Sequence, residues 1–111
     1  MISPDDFRRL ALELPQATES SHMGTVDFRC GTIFATLGNP DAAWAMVKLT
    51  PDQQEMRVAA EPEVFVSVPG GWGRGGATRL RLAACDEATA RGALLDAWRN
   101  AAPKTLLDRQ P

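Results

Sequence analysis

Apolar residues near the start of the chain return every three or four positions. Phe7, Leu10, Ala11 and Leu14 fall at i, i+3, i+4 and i+7, which is one stripe along an α-helix. Ser3-Pro4-Asp5-Asp6 supplies its start: a hydroxyl cap, a proline at the position where a missing N–H costs nothing, and acids against the positive helix end. Pro15 closes it. The period then changes to two. Val26, Phe28 and Cys30 alternate with Asp27 and Arg29, Gly31 marks a turn, and Ile33, Ala35 and Leu37 alternate with Thr32, Phe34 and Thr36. This predicts a hairpin. A third strand, Ala43 to Leu49, follows the GNPD turn, with Trp44, Met46 and Lys48 on one face and Ala45, Val47 and Leu49 on the other.

Thr50-Pro51-Asp52-Gln53 is a capping box and predicts a helix to about Ala60. Val64, Val66 and Val68 resume the alternation, a glycine-rich run intervenes, and Leu80 and Leu82 alternate with Arg79 and Arg81. Asp86 caps a last helix whose stripe is Leu94, Leu95, Trp98 and Ala101, stopped by Pro103. Terminal helices with one apolar face and a strand-rich middle predict an α+β fold: an antiparallel sheet of about five strands with the N- and C-terminal helices packed on one face. The length of 111 residues fits one domain over 1–111, with Asp108 to Pro111 expected to fray.

Composition changes this picture only through the distribution of charge. The formal net charge is -2 over the whole chain, yet between Val64 and Cys85 there is no acid, while Arg74, Arg79 and Arg81 contribute three positive charges. Two cysteines and one histidine are too few for a disulfide framework or a four-ligand zinc site, so neither metal nor cofactor is expected. The start MISPDDF lacks the charge and apolar core of a secretory signal, and no run is long enough for a membrane helix. The expectation is a cytoplasmic protein without membrane attachment.

The run VPGGWGRGGATRLRL, residues 68–82, contains the glycine spacing of a dinucleotide-binding turn at Gly71, Gly73 and Gly76. That motif needs a helix next, and Ala77-Thr-Arg-Leu-Arg-Leu is strand chemistry; a P-loop would need Lys after Gly76. Two readings stay open. In one, the run is a flexible connection with Trp72 tucked onto the edge of the core. In the other it is a glycine-hinged basic wing, with Arg74 in the loop, Arg79 and Arg81 on one strand face, and Trp72 stacking on a base or sugar.

The segments LALELPQATESSHMG, FRCGTIFATL, VKLTPDQQEM, VPGGWGRGGATRLRL and AWRNAAPKTLL together resemble the MmcQ/YjbR family over nearly the whole chain. The resemblance implies a fold similar to CyaY, the bacterial frataxin homologue, and a double-wing DNA-binding role. It carries over to Lys48 in KLTP, Trp72 and Arg74 in the glycine run, Arg79 on the following strand and Lys104 in APK. Frataxin-like iron binding does not carry over, because the first helix offers only Asp5, Asp6 and Glu13, diluted by Arg8 and Arg9. If Arg74, Arg79 and Arg81 each neutralise one phosphate of double-stranded DNA, raising salt from 50 to 200 mM weakens binding about 40-fold. That is modest, sequence-tolerant binding, suited to a homo-oligomer or to a complex with a protein partner.

Residues that tempt toward catalysis do not assemble. His22 follows Ser21, but neighbours in a strand point to opposite faces, so a turn or sheet-edge role is expected. Glu61 and Glu63 flank Pro62 on one strand face and read as a solvated pair, and neither Cys30 nor Cys85 has a histidine beside it. No catalytic residue is assigned. The alternatives to DNA binding are a protein–protein interaction module using the open sheet face, where Phe34, Trp44 and Met46 are the large apolar candidates unless a thick core buries Phe34 and Trp44, and a small-molecule-binding or catalytic protein in which His22 or Cys85 has a perturbed pKa.

Overall fold

In the computed structural model, which describes residues 1–107, the chain runs α1 (Pro4–Leu12), β1 (Thr18–His22), β2 (Thr25–Cys30), β3 (Thr32–Leu37), β4 (Trp44–Lys48), α2 (Pro51–Ala60), β5 (Phe65–Ser67), α3 (Gly71–Arg74), β6 (Ala77–Arg81), α4 (Glu87–Ala101) and α5 (Lys104–Leu107). The expected fraying of Asp108 to Pro111 lies outside the described residues. The three caps form as the sequence predicts. Ser3 Oγ accepts from the Asp6 N–H at 3.0 Å while the Asp6 carboxylate accepts from the Ser3 N–H at 2.9 Å. Thr50 and Gln53 make the same reciprocal box, and Asp86 Oδ1 accepts from the Thr89 N–H at 2.7 Å.

The strands form one antiparallel sheet in the order β1-β2-β3-β4-β6-β5. It has six strands where the sequence pattern predicts about five. The extra one is β1, TESSH, exposed at every position, so it carries no apolar alternation to read. α1 and α4 pack on the centre of one sheet face and on each other, and α2 packs beside β5. Between them lies a core that includes Phe7, Leu10, Phe28, Val47, Leu80, Leu94 and Trp98. Trp98 is fully buried, and its indole Nε1–H donates to the Pro15 carbonyl at 3.0 Å, tying α4 to the α1–β1 connection.

Two expected strand faces are corrected. Phe28 lies opposite Ala35 and Arg29 opposite Ile33, so one step along β2 spans two along β3 and Phe34 is the extra residue of a bulge. The bulge turns Phe34 and Ala35 both into the core, and Phe34 leaves the open face to Ile33 and Thr36. In the alternation expected at Val64, Val66 and Val68, Val64 precedes β5 in the turn after α2 and packs in the core, while Val66 faces outward beside Arg79. Glu61 and Glu63 sit in that same turn rather than on a strand.

Candidate nucleic-acid interface

The glycine run is neither a free loop nor a hinge. Residues Gly71–Arg74 wind into one helical turn, with Gly70 at φ 83° in front and Gly76 at φ 112° behind. A Cβ on Gly73 would stand 1.6 Å from the Val68 carbonyl oxygen, and one on Gly76 would stand 1.9 Å from that of Leu49. These two glycines exist because backbone meets backbone there. The Gln54 side-chain amide closes the arrangement by donating to the Gly73 carbonyl at 2.9 Å and to the Ala77 carbonyl at 3.0 Å. The pinned turn presents Trp72 to solvent, 71% exposed, which corrects the reading that tucks it onto the core edge. Lys48 Nζ lies 6.0 Å from the Trp72 ring centroid.

Register places the basic residues. Met46 is opposite Arg79 and Trp44 is opposite Arg81, so Trp44, Met46, Arg79 and Arg81 share the sheet face turned away from the helices, with Lys48 following by alternation. The Arg81 guanidinium stacks on Trp44 at 4.4 Å from the ring centroid, leaving its edge donors available. Elsewhere among the described residues most arginines are neutralised. Arg8 holds Glu19 through a fork of 2.7 and 2.6 Å, a bond that lowers the Glu19 pKa, and Arg9, Arg57 and Arg91 pair with Glu13 or Glu87 and Asp96. By contrast, Lys48, Arg74, Arg79, Arg81, Arg99 and Lys104 have no carboxylate within salt-bridge distance among the described residues. Four of these six cluster on β4, α3 and β6.

The open face carries a cleft of about 490 Å³. His22, Met23 and Thr25 at the β1–β2 turn form one rim, Val68, Trp72 and Arg79 the other, with Met46, Ile33 and Thr36 between. Its rims come from opposite edges of the sheet, so the sheet curls over this face. Asp27, 1% exposed, reaches the cleft wall with its carboxylate held in a fork by Arg29 at 2.8 and 3.2 Å. That hydrogen bond also raises the Arg29 pKa. A second cleft of about 640 Å³ shares Ile33, Lys48 and Trp72 with the first and continues to Thr50, Ala97 and Ala101.

The YjbR family model matches residues 12–100. The chain belongs to the YjbR family. The matched span contains Lys48, Trp72, Arg74, Arg79 and Arg81 and leaves out Lys104, which lies on α5 outside both cleft linings. The fold is similar to the crystal structure of Deinococcus radiodurans protein DR2400, described as carrying a DUF419 domain: TM-score 0.72, 18% identity, covering 88% of this chain and 77% of that one. No curated protein matches the chain.

In this YjbR-family chain the candidate catalytic groups stand apart. His22 is exposed on the edge strand in the cleft rim, while Cys85 is fully buried on the helical side, its thiol pushed up to about 11 by burial, with Asp86 and Glu61 adding to the shift. A thiol held protonated and out of solvent is no nucleophile. Among the described residues there is no group of three or more His, Cys, Asp and Glu placed to hold a metal. Among the described residues no helix is long and apolar enough to cross a membrane. Sequence reasoning missed the Gln54 clamp and the Asp27–Arg29 pair. The second had a signal, since residues at i and i+2 share a strand face.

Proposed function

We propose that this chain binds DNA through phosphates held by Lys48, Arg74, Arg79 and Arg81, with Trp72 as the stacking group and Lys104 as an outlying contact, and that it does no chemistry. This reading takes residues 1–111 as one domain of the frataxin-homologue kind. The observation that carries it is the partition of charge: Arg8, Arg9, Arg29, Arg57 and Arg91 are tied to acids, while the four cations of β4, α3 and β6 gather in one region with no acid within salt-bridge distance, and of the other described cations only Arg99 on α4 and Lys104 on α5 are likewise unpaired. Unpaired guanidinium forks matched to phosphate oxygens, beside an exposed indole, are what sequence-tolerant nucleic-acid binding needs. The Arg81 guanidinium covers the Trp44 ring, and Met46 and Ile33 lie inside a cleft bordered by Lys48 and Arg79, so the open face offers no broad, flat apolar patch.

Four phosphate contacts on duplex DNA give a log–log salt slope of about -3.6, so affinity falls about 150-fold between 50 and 200 mM salt. The test is fluorescence anisotropy across that range for the protein and for Lys48→Ala/Arg74→Ala/Arg79→Ala/Arg81→Ala. Loss of binding in the variant, with its melting temperature kept, supports the reading. Binding that ignores salt, or a variant that binds as well as the parent, refutes it.

A further inference from the structure

We infer that the nucleic acid suited to this face is single-stranded, with one base stacked on Trp72 over the Met46–Ile33 floor and the flanking phosphates on Lys48 and Arg79. The inference rests on the nucleic-acid reading above and adds the strand form. The cations lie on one rim only. The opposite rim is built from β1, whose residues TESSH include no Lys or Arg, and from the turn His22-Met23-Gly24; the nearby Arg29 is already occupied by Asp27. A duplex laid between the rims meets phosphate ligands on one side and, on the other, a surface with none. A single strand has the matching asymmetry, with phosphates along one edge and base faces along the other.

The floor argues the same way. Met46, Ile33 and Val68 are apolar, and a duplex keeps its base faces inside the stack, offering only groove edges and phosphates to such a surface. The long helices α1 and α4 pack on the far side of the sheet, and α3 at the rim is a single four-residue turn, so no helix is placed to enter a major groove from here. The cleft of about 490 Å³ falls in the range that encloses a nucleotide-sized ligand. The cleft of about 640 Å³, which shares Lys48 and Trp72 with the first, gives the next nucleotide a place beside the same indole. Trp72 thus stands where two concavities meet, the position from which one ring can serve a passing strand.

The experiment compares a short labelled oligothymidylate with a duplex of equal length at about 50 mM salt, reading anisotropy and tryptophan emission together. Trp72→Phe and Trp72→Ala accompany the parent; because Trp72 is exposed, neither should unfold the protein. The expected result is at least tenfold tighter binding of the single strand, quenching of emission assigned to Trp72 by Trp72→Phe, and loss of about tenfold in single-strand affinity in Trp72→Ala, a larger fold-loss than the same variant shows for the duplex. Equal or tighter duplex binding overturns the inference while leaving DNA binding through the four cations intact. So does single-strand binding that moves neither emission nor the Trp72→Ala affinity. Absence of binding to both probes overturns the proposed function itself.

Discussion

Replacing Gly76 by alanine isolates what holds the basic turn in place. The residue sits at φ +112°, and a Cβ there would lie 1.9 Å from the Leu49 carbonyl oxygen, 2.8 Å from its carbon and 3.0 Å from the Thr50 carbonyl carbon. Left-handed backbone costs a non-glycine residue about 1–2 kcal/mol. Forcing backbone apart at the junction of β4 and α2 adds about 1–3 kcal/mol, by analogy with overpacked cores. The total of about 2–5 kcal/mol corresponds to a fall of roughly 8–20 °C in Tm at this chain length. Two controls separate the terms. Gly24→Ala has φ +83° with nothing within 4 Å, so it should show the backbone cost alone; Gly75→Ala has φ -83° and its nearest neighbours at 3.5 and 3.6 Å, so it should be near neutral. Circular dichroism melts of the three variants give the answer. If Gly76→Ala melts with the parent, or no lower than Gly24→Ala, the turn is not pinned against Leu49 and the placement of Trp72 beside Lys48 loses its cause.

Cys85 should resist thiol reagents at pH 8 until the protein unfolds, and prompt labelling of the native protein would contradict its burial. Because the folded thiol titrates at about 11 against an ordinary 9.0, its contribution to stability is complete below pH 9 and is lost as pH rises through about 11, which urea midpoints across that interval will register. Asp27→Asn should cost about 1–3 kcal/mol in urea unfolding, less than a fully buried pair because the Arg29 side chain is 40% exposed; an unchanged midpoint would show that the pair contributes nothing to the hairpin.

What was legible in the sequence was what short-range chemistry encodes. Ser3, Thr50 and Asp86 cap their helices as written, because a cap depends on residues three positions apart. The shared face of Trp44, Met46 and Lys48 follows from period two alone. β1 was silent because an exposed edge strand needs no apolar face, and alternation alone left Phe34 between the open face and the core because one bulge shifts the alternation without altering composition. The site was half legible. A segment free of acids pointed to Arg74, Arg79 and Arg81, but the meeting of Lys48 with Trp72, and the clamp of Gln54 on Gly73 and Ala77, join residues about twenty positions apart and depend on how β4, α2 and β6 come together. Glycines expected to loosen the run instead let it close on Val68 and Leu49. Spacing shows that glycine is present; only the neighbouring backbone shows why.

The most direct test of the binding face is a two-dimensional amide NMR titration with DNA at low and at raised salt. The predicted result is perturbation at Lys48, Trp72, Arg74, Arg79 and Arg81, including the Trp72 indole, reversed by salt, with the outer surfaces of α1 and α4 unmoved. Perturbation centred on those helices, or no perturbation at low salt, would contradict it.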